Sequence, residues 1–372
     1  MDTYWIWLSR VKYVGPVLQK ELITHFQSPE AVYEAKEDEL LEVPKITKNA
    51  IHSLIKSRSL KEAEVIQTRL DTIGVTLLPF NSGRYPNFAK ESKESPIVLY
   101  YRGELQPFKT TVGVIGARRC SSYGKKIAEQ LGHDLASLKI PVISGFAKGI
   151  DSYSQAACIR NGGYTISFLG CGPDVCYPNE QNQLYHQILE CGGAFISQYP
   201  PGTPPMPKYF IARNALISAW STELVIVEAG EQSGALTTAD FAVKNNKSVY
   251  AVPNRIDAQE GVGTNRLLSQ GIPPYLGVES LQSVKEKMKS NDRVASKSFS
   301  INAVPLLTPI SSQAQKFTTI ETAILQRLSE NPKTIHQLFT HLNLTKTELM
   351  DYLFNLELEK QIIIRGDIVS KI

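Results

Sequence analysis

Apolar residues recur at helical spacing through the first part of the chain. Val17, Leu18, Leu22, Ile23 and Phe26 form one stripe, Ile51, Leu54 and Ile55 a second, and Ile66 and Leu70 a third. Val14-Gly15-Pro16 and Val43-Pro44-Lys45 interrupt the stripes as short turns ahead of a helix, so residues 1–75 are predicted to form a helical module. From residue 111 the period changes. Short apolar runs at 112–115, 141–143, 164–169, 194–197, 224–227 and 248–252 alternate with amphipathic helices, the first carried by Ile127, Leu131, Leu135 and Leu138. This is the pattern of βαβ units and a parallel sheet. Leu224-Val225-Ile226-Val227 has the unbroken apolar character of a strand covered on both faces. Residues 76–110 lie between the two regions as a connector, with a turn at Asn81–Pro86 and a strand at 97–101 expected to pair onto the edge of the sheet.

The predicted class is therefore α/β, with a Rossmann-like parallel-sheet domain over residues 111–280. The two helix–turn–helix units ahead of it resemble a SAM or helix-hairpin-helix module. Such a module either touches phosphates through its turn amides or simply packs. Residues 281–316, rich in Ser, Lys, Gln, Asn and Pro, are expected to be a flexible linker. Over residues 317–372 three helices are predicted, the third capped by Thr345, followed by a hairpin around Arg365-Gly366-Asp367. This succession describes a winged-helix domain. Its third helix offers Lys346 and Lys360 against Glu348, Asp351, Glu357 and Glu359, which favours protein contact over the DNA major groove.

Charge sharpens the picture only locally. The net charge is +4, but residues 1–110 carry 15 basic and 14 acidic side chains and residues 111–275 carry 13 and 12. Any polyanion must therefore meet local clusters rather than a basic surface. No run approaches a membrane span, and MDTYWIWLSR lacks the layout of a secretory signal, so a cytoplasmic protein without a membrane partner is expected. The cysteines Cys120, Cys158, Cys171, Cys176 and Cys191 lack zinc-ligand spacing and read as reduced thiols. No metal and no cofactor is expected.

In parallel α/β sheets ligands sit beyond the carboxyl ends of the strands, and here those ends are polar and rich in glycine. The first ends in Gly116-Ala117-Arg118-Arg119, the second in Ser144-Gly145-Phe146-Ala147-Lys148-Gly149-Ile150-Asp151. The third ends in Gly170-Cys171-Gly172, the fifth in Glu228-Ala229-Gly230 ahead of Ser233–Thr238. Glycines let the backbone approach closely, helix N-termini attract anions, and Arg118 can fork onto phosphate. The loops lack both the P-loop pattern and the dinucleotide fingerprint. Glu228 and Asp151 read either as a reactive carboxylate pair or as structural caps. A stiff proline run at 200–207 leads into Lys208-Tyr209-Phe210-Ile211-Ala212-Arg213-Asn214. Cations, a ring and an amide in one stretch are what single-stranded nucleic-acid sites use, although Tyr209 and Phe210 also fit a packed helix start.

Taken together, Gly116-Ala117-Arg118 with Tyr123-Gly124, the run 144–151, Tyr177-Pro178, Phe210 with Arg213-Asn214, and Ser233–Ala239 resemble the DprA/Smf DNA-processing family. The resemblance extends over most of the chain. It implies a bacterial mediator of natural transformation, without catalytic residues, that protects incoming single-stranded DNA and helps load RecA recombinase. It also implies a homodimer through the Rossmann-like domain. Carried over by position, Arg118, Lys148, Lys208 and Arg213 would hold phosphates and Phe210 would stack a base. Gly116, Ser144, Gly145, Gly149 and Asn214 would shape the pocket. The sequence departs from the family pattern at Ile211, at Ala215 and at Asn254, where proline, a second arginine and glycine are usual. Two other functions remain open: cleavage of a nucleotide N-glycosidic bond through Glu228, and an adaptor acting through the C-terminal domain.

Overall fold

The computed structural model describes residues 2–286, 319–329, 331–342 and 344–372. The chain divides into two compact units, Met1–Leu281 and Gln282–Ile372. From residue 287 to 316 the expected linker lies outside the described residues.

The first unit opens with helices α1 (Asp2–Arg10), α2 (Pro16–Phe26), α3 (Pro29–Glu34), α4 (Glu37–Leu41), α5 (Lys48–Lys56) and α6 (Lys61–Ile73). Trp5, Ile6, Trp7 and Leu8 are all buried, and α1 packs against α2, α3 and α6. Their starts are written locally: Pro16 occupies the first turn of α2, and the Ser28 and Thr47 hydroxyls accept the amides of Ala31 and Ala50. Gly74, in the left-handed region at φ 67°, ends α6.

The sheet that follows has eight strands: β1 (Thr76–Pro79), β2 (Val98–Gly103), β3 (Val112–Ile115), β4 (Val142–Ser144), β5 (Thr165–Phe168), β6 (Ala194–Ser197), β7 (Glu223–Ile226) and β8 (Ser248–Ala251). Their order is β1-β2-β6-β5-β4-β3-β7-β8. β3 to β8 are parallel; β2 runs antiparallel to β6, and β1 antiparallel to β2. The connector strand thus pairs onto the sheet edge as its position suggests, and β1 extends that edge. Every residue of β3, β5, β6 and β7 is buried, as a sheet with both faces covered requires. The covering helices are α7 (Asn87–Lys90), α8 (Ser122–Ser137), α9 (Ile150–Arg160), α10 (Asn182–Glu190), α11 (Pro207–Ala219), α12 (Gly234–Lys244) and α13 (Val262–Ser269).

Two cores meet on the antiparallel strands. Leu77, Val98 and Tyr100 face the helical module, while Leu78, Leu99 and Tyr101 face the core of the main sheet. That is the two-residue alternation of a strand with an apolar layer on each side. Trp220, fully buried, anchors the second core against Tyr85, Phe108 and Phe168, with ring centroids 5.4, 6.0 and 5.4 Å away. No helix among the described residues is long and apolar enough to cross a membrane.

The second unit contains helices Thr319–Leu328, Ile335–His341 and Lys346–Leu358, with strands β9 (Lys333–Thr334), β10 (Ile362–Arg365) and β11 (Ile368–Lys371) in the antiparallel order β10-β11-β9. Leu328, Leu338, Leu349, Leu353, Leu356, Ile362 and Val369 fill its core. Thr345 caps the third helix in a reciprocal pair with Glu348, as the sequence suggests. Glu357 is not part of the outer charge: it is buried, and its carboxylate accepts the Ile364 amide at 3.0 Å.

Candidate functional site

The loops after β3, β4 and β7 are held by two buried carboxylates. Glu228, with no exposed surface, accepts the Ser121 amide (2.8 Å), the Ser121 hydroxyl (2.5 Å) and the Asn254 side-chain amide (3.2 Å). Ser121 in turn caps α8 by accepting the Gly124 amide. A Cβ on Gly124 would overlap the Glu228 carboxylate. Asn254, where the family pattern has glycine, thus reaches into this network through its side chain. Asp151 accepts the amides of Gly145 (3.1 Å) and Ala147 (3.3 Å), which folds the β4–α9 loop onto the start of its own helix. Both carboxylates are therefore engaged in organising backbone.

Gly149 locks two loops together. It adopts φ 84°, ψ −130°, and the next amide, of Ile150, donates to Ala117 O at 3.2 Å. A Cβ at Gly149 would strike the carbonyls of Ala117 and Arg118. Gly149→Ala combines a disfavoured φ with overpacking against backbone that has no slack, so a loss of about 3 kcal/mol is expected. Chemical denaturation of the variant checks this; a change within about 0.5 kcal/mol of wild type, as at ordinary surface sites, would refute it.

Above this framework lies a cleft of about 270 Å³. Its walls are Gly116 and Arg118 after β3, Ala147 and Asp151 after β4, Phe210, Arg213 and Asn214 on α11, and Ser233, Gly234 and Thr238 at the start of α12. It sits over the ends of β3 and β7, neighbours in the sheet but far apart in the chain, where the strand order reverses. Parallel sheets open a crevice at that point. The Phe210 ring is flanked by the Arg118 guanidinium at 5.9 Å, the Arg213 guanidinium at 5.7 Å and the Tyr177 ring at 5.6 Å. Arg118 is exposed and makes no hydrogen bond or ion pair among the described residues. The start of α12 adds backbone amides to the same space, with Ser233 Oγ accepting only that of Ala235.

Arg213 differs from the expectation. It is buried, its Nη1 donates to the carbonyls of Gly145 and Phe168 (the latter at 2.8 Å), and its Nε donates to Asn214 Oδ1 at 3.1 Å. Burial lowers its pKa to about 10 despite the pull of Asp151, and burial raises the Asp151 pKa despite the pull of Arg213. Desolvation outweighs attraction for both partners, as is common for buried pairs. Arg213 therefore braces the cleft from within through three of its five donors.

The other predicted residues divide into two groups. Gly116, Arg118, Phe210, Arg213 and Asn214 line the one cleft, with Asn214 also donating to Gly234 O at 3.2 Å to tie α11 to α12. Ser144, Gly145 and Gly149 belong to the framework; Ser144 is buried and its hydroxyl donates to Val114 O at 2.6 Å. Lys148 pairs with Glu180 at 3.3 Å, and Lys208 lies 5.3 Å from the Tyr209 ring, which itself contacts Tyr199. Sequence reasoning gives Tyr177 no place beside Phe210, and it misses Asn254 as the partner of Glu228. Nothing in local spacing signals these contacts, since each joins distant loops.

Comparison with known proteins adds an independent line. The family model described as DNA recombination-mediator protein A matches residues 76–286. The Smf protein of a Synechocystis species is 33% identical over 286 residues, 75% of this chain and 71% of that protein. DNA processing protein DprA of Bacillus subtilis is 31% identical over 215 residues, 56% of this chain and 70% of that protein. Among solved structures, DprA of Streptococcus pneumoniae superposes with a TM-score of 0.64 at 24% identity, covering 75% of this chain and 96% of that one, which speaks for the fold alone. DNA processing protein A of Helicobacter pylori, whose structure concerns its single-stranded DNA binding mode, gives 0.51 at 28% identity, covering 58% and 96%.

Proposed function

The chain belongs to the DprA/Smf family of DNA-processing proteins, and from that premise we propose that its strand-end cleft binds single-stranded DNA. The observation that carries this is the pairing of an aromatic face with an uncommitted cation: Phe210 beside Arg118, at the rim of a cleft that also receives the start of α12. A ring takes a base of any identity, while a guanidinium and free amides take the phosphate beside it. Lys148 and Lys208 extend the cationic side, and Arg213 supports the aromatic from below.

In this reading the protein is a mediator rather than a hydrolase. Cleavage of an N-glycosidic bond needs a carboxylate free to meet the sugar, whereas Glu228 and Asp151 hold backbone amides. The mediator holds incoming DNA during transformation, protects it and passes it to RecA recombinase, acting in the cytoplasm as a homodimer through the sheet domain. The C-terminal unit, whose described residues from 319 on form three helices and an antiparallel sheet, serves as a winged-helix module for protein contact.

The test is a fluorescence-anisotropy titration of labelled oligo-dT at several salt concentrations. Single-strand affinity falls with a log–log slope of about −0.7 per phosphate neutralised. With Arg118, Lys148 and Lys208 each holding one phosphate, this cleft alone contributes about −2 to the slope, enough to drop affinity by more than tenfold between low and physiological salt. A flat response, or no binding, would remove the clamp.

A further inference from the structure

The helical module carries a second cleft, of about 500 Å³, between the end of α1, the α1–α2 turn, α5 and the start of α6. Its floor is apolar, with Trp7, Val11 and Ala63 buried and the Trp7 indole held by the Ser57 carbonyl at 2.7 Å. Its rim is cationic. Arg10 is bridged to Glu62, but Lys12 and Lys56 are exposed and make no ion pair among the described residues, and His52 is exposed beside them. Tyr13 belongs to the same rim. It is 72% exposed and its backbone is left-handed, at φ 62°, which is unusual for a bulky side chain. The turn thus holds an aromatic ring out into water on the rim that also carries the two lysines.

We infer that this cleft is a second binding site for single-stranded nucleic acid, with the Tyr13 ring as the stacking platform and Lys12 and Lys56 on adjacent phosphates. An apolar floor with exposed cations and a presented ring is the combination that tracks a single strand without reading its sequence. The module as a whole is nearly neutral, with 15 basic and 14 acidic residues over 1–110. The excess of unpaired cations at this cleft is therefore local. The inference rests on the reading of the central cleft only for the class of ligand.

Full-length protein is cross-linked to oligo-dT carrying 5-iodouracil, and the adducts are mapped by mass spectrometry. A cross-link at Tyr13 is expected, and it persists in Arg118→Ala, which disables only the central cleft. In parallel, Lys12→Glu/Lys56→Glu weakens binding of a long oligo-dT by about tenfold and reduces the salt slope by about 1.4, two phosphates' worth. Tyr13→Ala weakens it by about tenfold through lost stacking. All these side chains are exposed, so the melting temperature stays at the wild-type value. Absence of the Tyr13 adduct together with unchanged affinity of the double variant overturns the proposal while leaving the central cleft untouched. Loss of all binding in Arg118→Ala would locate the whole affinity in the centre and overturn it equally. If the double variant loses retention of a poly-glutamate peptide but keeps its oligo-dT affinity, the cleft belongs to an acidic protein partner instead.

Discussion

Asp151→Ala destabilises the first unit by about 3–5 kcal/mol, which lowers its unfolding midpoint by on the order of 10 °C. The carboxylate is 5% exposed and Arg213 is equally buried, so the truncation leaves a guanidinium inside the protein without its nearest opposing charge. It also strips the amides of Gly145 and Ala147 of their acceptor. Burial shifts both members of the pair against their charged forms, so neither gains much from the interior by itself. Each is tolerated because the other is there. A double-mutant cycle with Arg213→Leu should therefore show coupling of about 1–3 kcal/mol, with the double variant less damaged than the two single losses together. Calorimetry or denaturant titration measures both. A loss of less than about 1 kcal/mol in Asp151→Ala would mean that the pair does not brace the cleft.

Arg118→Ala leaves the fold intact and weakens oligo-dT binding by more than tenfold, since a charge-assisted contact contributes about 1.5–3 kcal/mol. The side chain is exposed and anchors nothing else by hydrogen bond or ion pair among the described residues. Phe210→Ala produces a loss of similar size through stacking, about 1–3 kcal/mol per base. The two differ in their salt behaviour: Arg118→Ala makes the slope shallower by about 0.7, while Phe210→Ala leaves it unchanged. Anisotropy titrations of both variants read this directly. Wild-type affinity in Arg118→Ala would take the phosphate away from the exposed guanidinium of the cleft and refute the assignment. Arg213→Ala, by contrast, should register first as lost stability.

The parallel strands were legible because, apart from Ser248, they are buried on both faces and so carry short clusters of apolar residues. β1 was not. Thr76-Leu77-Leu78-Pro79 is four residues long, and its two leucines point into different cores, a pattern that short windows do not separate from a turn. At the cleft, composition and strand-end position were enough to indicate Gly116, Arg118 and Phe210. They did not distinguish Arg118 from Arg213, which have the same chemistry, the one exposed and the other buried. That difference depends on carbonyls 68 and 45 residues away, Gly145 O and Phe168 O, which close around Arg213 alone. Glu228 was ambiguous for the same reason, because its partners Ser121 and Asn254 come from two other loops.

The alternation of β2 between two cores bears on how the first unit comes apart. Tyr100 and Val98 belong to one apolar layer, Leu99 and Tyr101 to the other, and a single backbone carries both. A denaturant that melts the helices would bare one side of that strand and loosen the other through the shared chain, so the helices and the sheet should unfold in a single transition. For the same reason a truncation that begins at residue 76 would not yield a clean sheet domain. It would expose Leu77, Ile97, Val98 and Tyr100 as an apolar face at a sheet edge, the kind of surface that recruits further copies and aggregates. The helical module is in effect the lid of the sheet's outer edge.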